Sequence, residues 1–192
     1  MRTAPPSLDL SELPLLRYGG EIVLVDRPEL LNEVVPLLLA EPYLGFDTET
    51  RPAFKKGEKY APALVQLASP QRVYLLQLRE LGITDALVRL LEEPLPLKVG
   101  IAIRDDIKAL QEVRPFVPSG LVDLGDLARR QGIEQRGARS LAARFLGGRV
   151  SKGAQTSNWA VRTLSEKQKI YAATDAWICL KLYPLLSKSA TA

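Results

Sequence analysis

The feature that most constrains the fold is the segment 43–50 (YLGFDTET), where an apolar run ends in two carboxylates. In a β-strand successive side chains alternate between the two faces, so Asp47 and Glu49 share one face while Phe46 and Thr48 share the other. Neighbouring carboxylates repel each other, and burying them unpaired is unfavourable. A divalent cation that prefers oxygen ligands, Mg²⁺ or Mn²⁺, relieves both problems. Because two acids can also simply mark the end of a strand, the metal hypothesis requires that further acids converge here.

The composition excludes several kinds of site. The chain has no histidine and a single cysteine, Cys179, which excludes an intramolecular disulfide, the usual zinc sites and Ser-His or Cys-His catalytic pairs. Any catalysis must therefore use carboxylates, hydroxyls, lysines or a metal ion. A net charge of +4 permits a polyanionic partner without requiring one. Residues 1–10 lack the apolar run of a signal peptide, and the chain has no membrane-spanning run, so we expect a cytoplasmic protein with no membrane association and no obligate protein partner.

The pattern of apolar residues predicts one α/β domain at residues 21–188, with an N-terminal arm (1–20) and a short tail (189–192). The predicted strands are 21–26, the segment that contains Asp47 and Glu49, 63–68, 72–76 and 97–103. The predicted helices are 28–39, 85–91, 105–113, 120–132, 140–146 and a long one that starts at a capping box, Ser165 to Gln168, and reaches Tyr183, where Pro184 kinks or ends it. This order of elements favours a mixed β-sheet flanked by α-helices.

Two later segments supply further acids. Tyr171 and Asp175 are four residues apart, so they share one face of the long predicted helix. Asp105 and Asp106 follow an apolar strand, at a strand-to-helix junction of the kind that often carries function. Since one aspartate here would serve as a helix cap, we assign Asp105 to the cap and Asp106 to the site. Four carboxylates without histidine meet the ligand requirement of two-metal phosphoryl chemistry, in which two ions lie about 3.5–4 Å apart.

Three segments resemble motifs of the ribonuclease D / Werner-type 3′–5′ exonuclease family, in the branch whose third motif is Y-x-x-x-D. They are FDTET (46–50), KVGIAIRDDIKAL (98–110) and YAATDAWICLKLY (171–183), and TSNWAVRTLSEKQKI (156–170) is similar too. The resemblance spans roughly residues 21–186. It implies a ribonuclease-H-like fold with about five strands, two bound Mg²⁺ or Mn²⁺ ions, and removal of nucleoside monophosphates from the 3′ end of DNA or RNA.

The resemblance also implies a role for each acid. Asp47 would bridge both metal ions, and Glu49 and Asp175 would complete the site on the side of the nucleophile. Asp106 would support the second ion through water. Tyr171 would position the hydrolytic water.

Two loops hold the residues expected to contact the nucleic acid. In the loop after Glu49 an aromatic ring would stack on the terminal base and lysines would contact phosphates, although an exposed, solvated loop is an equal alternative. The second loop precedes the long helix. The candidate contacts are Phe54, Lys55, Lys56, Arg149, Lys152 and Asn158. We interpret Trp159 as a packing residue, and Arg139 as part of a solvated helical face.

These observations predict an enzyme, a two-metal-ion 3′–5′ exonuclease whose partner is a nucleic acid with a free 3′ end. One alternative is a catalytically weak or silent nucleic-acid-binding domain of the same fold. A second is an aspartyl-phosphate phosphohydrolase, because the D-x-E at residues 47–49 resembles the D-x-D motif of that class. The pair Tyr171 and Asp175 has no use in that chemistry.

Overall fold

The computed structural model describes residues 12–55, 57–151 and 153–188, and it confirms the predicted α/β fold. In this part of the chain the strands are β1 (Glu21–Val25), β2 (Tyr43–Thr50), β3 (Pro62–Ala68), β4 (Arg72–Gln77), β5 (Leu97–Gly100) and β6 (Leu121–Asp123). The helices are α1 (Pro28–Leu39), α2 (Leu78–Leu81), α3 (Asp85–Glu92), α4 (Ile103–Val113), α5 (Leu124–Arg130), α6 (Ala138–Leu146) and α7 (Glu166–Lys188).

The six strands form one mixed sheet in the order β1-β4-β3-β2-β5-β6. Strand β3 runs antiparallel to its neighbours β4 and β2, while the other neighbouring pairs are parallel. The predicted hairpin joins β3 to β4. In the parallel pair β2 and β5, Gly45 is aligned with Val99, so the carboxyl ends of these two strands lie at the same edge of the sheet. That edge is where function is expected in an α/β fold.

Helices cover both faces of the sheet because its central strands carry apolar residues on both faces. On one face, Leu44 and Phe46 of β2 pack in a core cluster with α1, α3 and α4. On the other, Leu64 and Ala68 of β3 pack against α7. Full burial of one leucine side chain stabilises a fold by roughly 1.5–3 kcal/mol. The two layers therefore hold β2, the strand that carries the predicted acids, at the centre of the domain.

Helix α7 lies directly on β2 because Gly45 has no side chain. A Cβ atom at this position would collide with the backbone carbonyl oxygen of Ala176 and would lie 2.8 Å from the backbone nitrogen of Leu180. The alanines at positions 172, 173 and 176 of α7 are fully buried and add little bulk of their own. This contact sets the distance between the acids of β2 and those of α7.

We expect Gly45→Ala to lower the free energy of unfolding by about 3 kcal/mol, because the added methyl group must push a helix backbone away from the sheet. Gly19→Ala is the matched control, since a Cβ there has no heavy atom within 4 Å. Chemical denaturation of the two variants and the parent measures the difference. Equal midpoints for Gly45→Ala and the parent would contradict this account of the α7 contact.

Helix α7 begins at the predicted capping box. The backbone N–H of Gln168 donates to Ser165 Oγ (3.3 Å), and the backbone N–H of Ser165 donates to Gln168 Oε1 (3.0 Å). Of the two predicted effects of Pro184, a kink or an end of the helix, the end is wrong, because the helix continues through Pro184 to Lys188. Because proline has no backbone N–H, α7 lacks the i→i−4 hydrogen bond that residue 184 would otherwise donate. Cys179 is buried and free, and no helix in the described ranges is long and apolar enough to cross a membrane.

Two other predicted elements have different limits. The segment 120–132, predicted as one helix, contains the short strand β6 followed by α5, and Asp123 caps that helix by accepting the N–H groups of Gly125 and Asp126. The strand predicted at 97–103 ends at Gly100. Ala102 adopts a left-handed conformation (φ 56°) that turns the chain, so that α4 starts at Ile103.

Part of the predicted N-terminal arm packs on the domain. The backbone N–H of Leu16 donates to the carbonyl oxygen of Arg149 (2.9 Å), and the N–H of Arg149 donates to that of Pro14 (2.9 Å). The N–H of Tyr18 donates to Thr174 Oγ1 in α7 (3.0 Å). Residues 1–11 and the predicted tail, 189–192, lie outside the described residues, and the domain limits at 20 and 188 stay predictions.

Candidate metal centre and nucleic-acid site

Three of the four predicted acids line one cavity beside β2. Asp47 and Glu49 come from β2 and Asp175 comes from α7. Tyr171, one turn before Asp175, also lines this cavity, which has a volume of about 490 Å³ and is called the acid cavity below. Residues separated by more than 120 positions in the chain are thus brought together, as the alternation of β2 and the i, i+4 spacing in α7 predict.

The fourth acid, Asp106, approaches the same group from α4. Thr48 Oγ1 donates a hydrogen bond of 2.6 Å to Asp106 Oδ1, which ties the first turn of α4 to β2. Asp106 does not line the acid cavity, but its charge raises the pKa of both Asp47 and Glu49. The neighbouring Asp105 is exposed. The prediction that Asp105 caps the helix is wrong, because the N-cap is Ala102 and no side chain caps this end.

Mutual repulsion and burial dominate the electrostatics of the β2 acids. Burial raises the pKa of Asp47 well above its usual value, and the charges of Asp175 and Asp106 raise it further; the 2.9 Å hydrogen bond from the N–H of Thr48 only partly opposes this. For Glu49, burial and the charge of Asp47 raise the pKa to about 9. In the absence of cations the carboxyl of Glu49 therefore tends to stay protonated at neutral pH.

The pKa values of the two acids on the helices, Asp175 and Asp106, are also raised. Burial raises the pKa of Asp175 to about 7, against the hydrogen bond with Tyr171 and the charge of Arg139, which both lower it. Burial raises the pKa of Asp106 to about 6, while its hydrogen bond from Thr48 lowers it. Burial and the charge of Asp175 raise the pKa of the Tyr171 phenol, so this group stays protonated and serves as a hydrogen-bond donor rather than a base.

The donor set fits hard divalent cations. All four side chains offer only carboxylate oxygens, the ligands that Mg²⁺ and Mn²⁺ prefer. None of the ion pairs within 4.0 Å among the described residues includes Asp47, Glu49, Asp106 or Asp175. Nor do three His, Cys, Asp or Glu side chains of the described ranges already form a ready-made metal-ligand group. Cations would therefore have to draw these carboxylates together, and they would offset the repulsion that raises the pKa of Asp47 and Glu49.

Arg139, which the sequence places with other arginines on a mostly solvated helical face, is half-buried in the wall of the acid cavity. It comes from the first turn of α6, lines the acid cavity and lowers the pKa of Asp175 by its charge. Its guanidinium donates to Gln155 Oε1 (3.1 Å), and Gln155 lines the cavity as well. Sequence reasoning also missed Thr48 and Ser151. Thr48 lies within the FDTET motif, where only the two acids were assigned a role, and Ser151 belongs to no motif; the packing of distant segments is what gives both residues a place at the site.

The loop after β2 presents its predicted contacts to solvent. Phe54 is 84% exposed and Lys55 is exposed too. Such exposure leaves both side chains free to meet a ligand, and it fits the alternative of a solvated loop equally well. Lys56 lies outside the described residues.

The second predicted surface is only partly near the acid cavity. Val150 and Ser151 line the cavity, whereas Arg149 and Asn158 do not. Arg149 Nε donates to the carbonyl oxygen of Leu13 (3.0 Å), and Asn158 Oδ1 accepts the N–H of Ala160 (3.1 Å). Lys152 lies outside the described residues. Trp159, by contrast, is buried against Tyr171 with ring centroids 5.9 Å apart, which agrees with its interpretation as a packing residue.

A second, more apolar cavity of about 350 Å³ adjoins the acid cavity and shares Tyr171 and Asp175 with it. One wall is residues 15–17 of the N-terminal arm, and another is Ile170 of α7. The arm therefore contributes to the immediate surroundings of the candidate site.

A family model described as 3′–5′ exonuclease matches residues 22–190. The chain belongs to this family. Ribonuclease D of Gluconacetobacter diazotrophicus is 34% identical over 168 residues, which cover 85% of this chain and 42% of that protein. The bifunctional 3′–5′ exonuclease/ATP-dependent helicase WRN of Mus musculus is 30% identical over 184 residues, which cover 91% of this chain and 13% of that protein. The resemblance predicted from the motifs is thus confirmed.

Solved structures of this 3′–5′ exonuclease family have the same fold. The crystal structure of Escherichia coli RNase D superimposes with a TM-score of 0.78 and 25% identity, over 88% of this chain and 45% of that chain. The EXO domain of Aedes aegypti Nibbler gives a TM-score of 0.81 at 24% identity, over 92% of this chain and 93% of that one. The chain spans less than half the length of the ribonuclease D relatives. The family depends on divalent metal ions, in agreement with the donor set of the acid cavity.

We expect the metal-free protein to lose stability as the pH rises from about 4 to about 9. The folded pKa values of Asp106 (about 6), Asp175 (about 7) and Glu49 (about 9) lie above the unfolded values near 4, so the folded state holds protons that the unfolded state has released. In EDTA the melting temperature should be several degrees lower at pH 8 than at pH 5. Mg²⁺ should restore it mainly at pH 8, where ionised carboxylates bind the ion more readily.

The control for this measurement is Asp47→Asn, which removes one of the repelling charges and should flatten the pH dependence. Differential scanning calorimetry in EDTA at both pH values supplies the data. A parent protein whose melting temperature is the same at pH 5 and pH 8 would contradict the electrostatic account.

Proposed function

We propose that this chain is a metal-dependent 3′–5′ exonuclease that hydrolyses the terminal phosphodiester bond of DNA or RNA and releases nucleoside 5′-monophosphates. The observation that carries the proposal is the convergence of Asp47, Glu49 and Asp175 on one cavity, with no described lysine or arginine in an ion pair with them. The carboxylates that line this cavity would repel a negatively charged phosphodiester unless cations were bound there. Family membership supports the same reaction.

We assign two Mg²⁺ or Mn²⁺ ions to the acid cavity. Asp47 would be shared by both ions, and Glu49 and Asp175 would hold the ion on the side of the nucleophile. Asp106 would support the other ion through water, with its carboxyl held in place by the hydroxyl of Thr48. When bound, the ions lower the pKa of water and neutralise the charge that develops on the phosphate.

The phenol of Tyr171 would orient the attacking water. Its raised pKa keeps the proton on the phenol oxygen, so it can hold water by hydrogen bonds without removing its proton. The water loses one proton to solvent and its oxygen forms a bond to phosphorus, while the bond between phosphorus and the 3′ oxygen of the preceding nucleotide breaks. That oxygen takes up a proton, and the released nucleotide keeps its 5′-phosphate.

Positively charged and aromatic side chains around the cavity would hold the strand. Arg139 lies in the cavity wall, where a phosphate would enter. The exposed ring of Phe54 would stack on the terminal base, and Lys55 would contact a phosphate. The other predicted contacts, which would lie farther from the scissile bond, are Lys56, Arg149, Lys152 and Asn158. Relatives named ribonuclease D make RNA the first substrate to test.

We also propose that the chain acts in a reducing cytoplasm and needs no obligate protein partner for cleavage. The free, buried Cys179 supports a reducing compartment. Cleavage by the purified chain alone would test the second statement.

The test uses 3′-labelled and 5′-labelled RNA and DNA oligonucleotides, single-stranded and double-stranded, with Mg²⁺, Mn²⁺ or EDTA. We expect a 3′ label to appear at once as a mononucleotide and a 5′ label to appear as a ladder that shortens with time. EDTA should abolish both patterns, and Asp47→Asn should lower the rate by roughly 100-fold or more. A rate that is equal in the parent and Asp47→Asn would indicate a contaminating nuclease, and would favour a silent nucleic-acid-binding domain.

Asp106 and its neighbour Asp105 offer a matched pair of variants. We expect Asp106→Asn to lower kcat by roughly 100-fold, because it weakens support of the second ion. Asp105→Asn, at an exposed carboxyl on the same helical turn, should stay within about threefold of the parent. Initial rates at saturating substrate measure both variants. If Asp105→Asn lowered kcat more than Asp106→Asn did, support of the second ion would belong to Asp105.

A further inference from the structure

Beside Asp47 lies a buried polar side chain without a hydrogen bond. Gln66 of β3 is 0% exposed, and neither its Nε2 nor its Oε1 has a partner. Buried amide groups are almost always paired, so an exception calls for a physical explanation. Among the described residues the one other unpartnered buried side-chain atom of this kind is Trp159 Nε1, whose ring packs against Tyr171.

The register of the sheet places Gln66 directly opposite Asp47. Opposite residues of antiparallel strands lie on the same face, with Cβ atoms about 4.5–5.5 Å apart. On the other side of β3, Gln66 is opposite Leu75 of β4. The next residues of β3 on this face are Leu64 and Ala68. Both of them, and Leu75, pack in the apolar cluster under α7. Asp47 is therefore the polar side chain that the register places beside this amide.

Gln66 does not line the acid cavity and has no exposed surface, so it cannot contact the substrate. Carboxylates that bind metal ions are usually held in orientation by hydrogen bonds from a second layer of residues. The described contacts of Asp47 include one such bond, from the backbone N–H of Thr48 to Oδ1. Among the described residues no hydrogen bond is seen to its other carboxylate oxygen, and the amide of Gln66 has two hydrogens to donate.

We propose that Gln66 is a positioning residue for Asp47, and that its Nε2 donates a hydrogen bond to the Asp47 carboxylate when cations occupy the acid cavity. This inference rests on the proposed function. The amide fixes the carboxylate in the orientation that metal binding requires. In the metal-free structure this amide has no hydrogen-bond partner. Gln66 thus contributes to metal affinity rather than to the stability of the metal-free fold.

Gln77 provides the matched control. It is also a buried glutamine of this sheet, 1% exposed, at the end of the neighbouring strand β4. Its Nε2 is satisfied, because it donates to the carbonyl oxygens of Val161 (2.9 Å) and Arg162 (3.0 Å). Replacing Gln77 by methionine removes two hydrogen bonds, whereas the same replacement at Gln66 removes none that the metal-free fold contains.

The experiment measures Mn²⁺ affinity by isothermal titration calorimetry and melting temperature in EDTA, for the parent, Gln66→Met and Gln77→Met. For Gln66→Met we expect roughly 10-fold weaker Mn²⁺ binding. Its melting temperature should be equal to or above that of the parent. For Gln77→Met we expect the opposite pattern, a lower melting temperature with unchanged Mn²⁺ affinity. Gln66→Leu repeats the test in case methionine disturbs the packing under α7. The KM for an oligonucleotide should not change in Gln66→Met.

Unchanged Mn²⁺ affinity in Gln66→Met and Gln66→Leu would overturn the inference and leave the proposed function intact. A lower melting temperature with unchanged affinity, as expected for Gln77→Met, would show a purely structural role and overturn it as well. Absence of Mn²⁺ binding to the parent, or binding that survives Asp47→Asn, would overturn the proposed function and this inference with it.

Discussion

The contact between α7 and β2 is the constraint on which the rest of this structure depends. Gly45 allows the backbone of the helix to rest on the strand, and the small side chains of α7 keep the two elements close. Asp47 is two residues beyond Gly45 on the same face, and Asp175 precedes the Ala176 carbonyl that Gly45 accommodates. The distance between the strand acids and the helix acid is thus fixed by packing against a position without a side chain, rather than by any attraction between the acids.

The charges themselves oppose the fold. Burial raises the pKa of every acid at the site, the charges of the other site acids raise the pKa of Asp47 and Glu49 further, and the charge of Arg139 lowers the pKa of Asp175. The apolar clusters on both faces of the sheet supply the stability that tolerates this repulsion. Such an arrangement is typical of functional sites, where local stability is given up for binding. Gln66, opposite Asp47, is buried without a hydrogen-bond partner for its amide, and this lowers the local stability of the fold in the same way.

Sequence reasoning succeeded where the signal is local. The alternation in β2 placed Asp47 and Glu49 on one face, and the capping box located the start of α7. It failed where the structure depends on distant residues or on backbone geometry. The left-handed Ala102 sets the start of α4 and leaves Asp105 without a capping role, and three residues are too few to give β6 a periodic signal.

Two further residues of the site could not be predicted because their roles arise only between segments. Thr48 has a role at the site because it donates a hydrogen bond to Asp106, 58 residues away. Arg139 has one because it lines the cavity between α6 and α7. Thr48 lies within the FDTET motif, but nothing in that motif marks its hydroxyl as the partner of a distant acid, and no motif or charge pattern sets Arg139 apart from the other arginines. The position of the N-terminal arm also depends on a contact between distant segments, because the N–H of Tyr18 donates to Thr174, 156 positions later in the sequence. A ribosome makes the arm well before it makes the docking surface of the arm on α7. The cavity walls can therefore close only after α7 has been synthesised, so the arm waits for its partner while the residues between them are added.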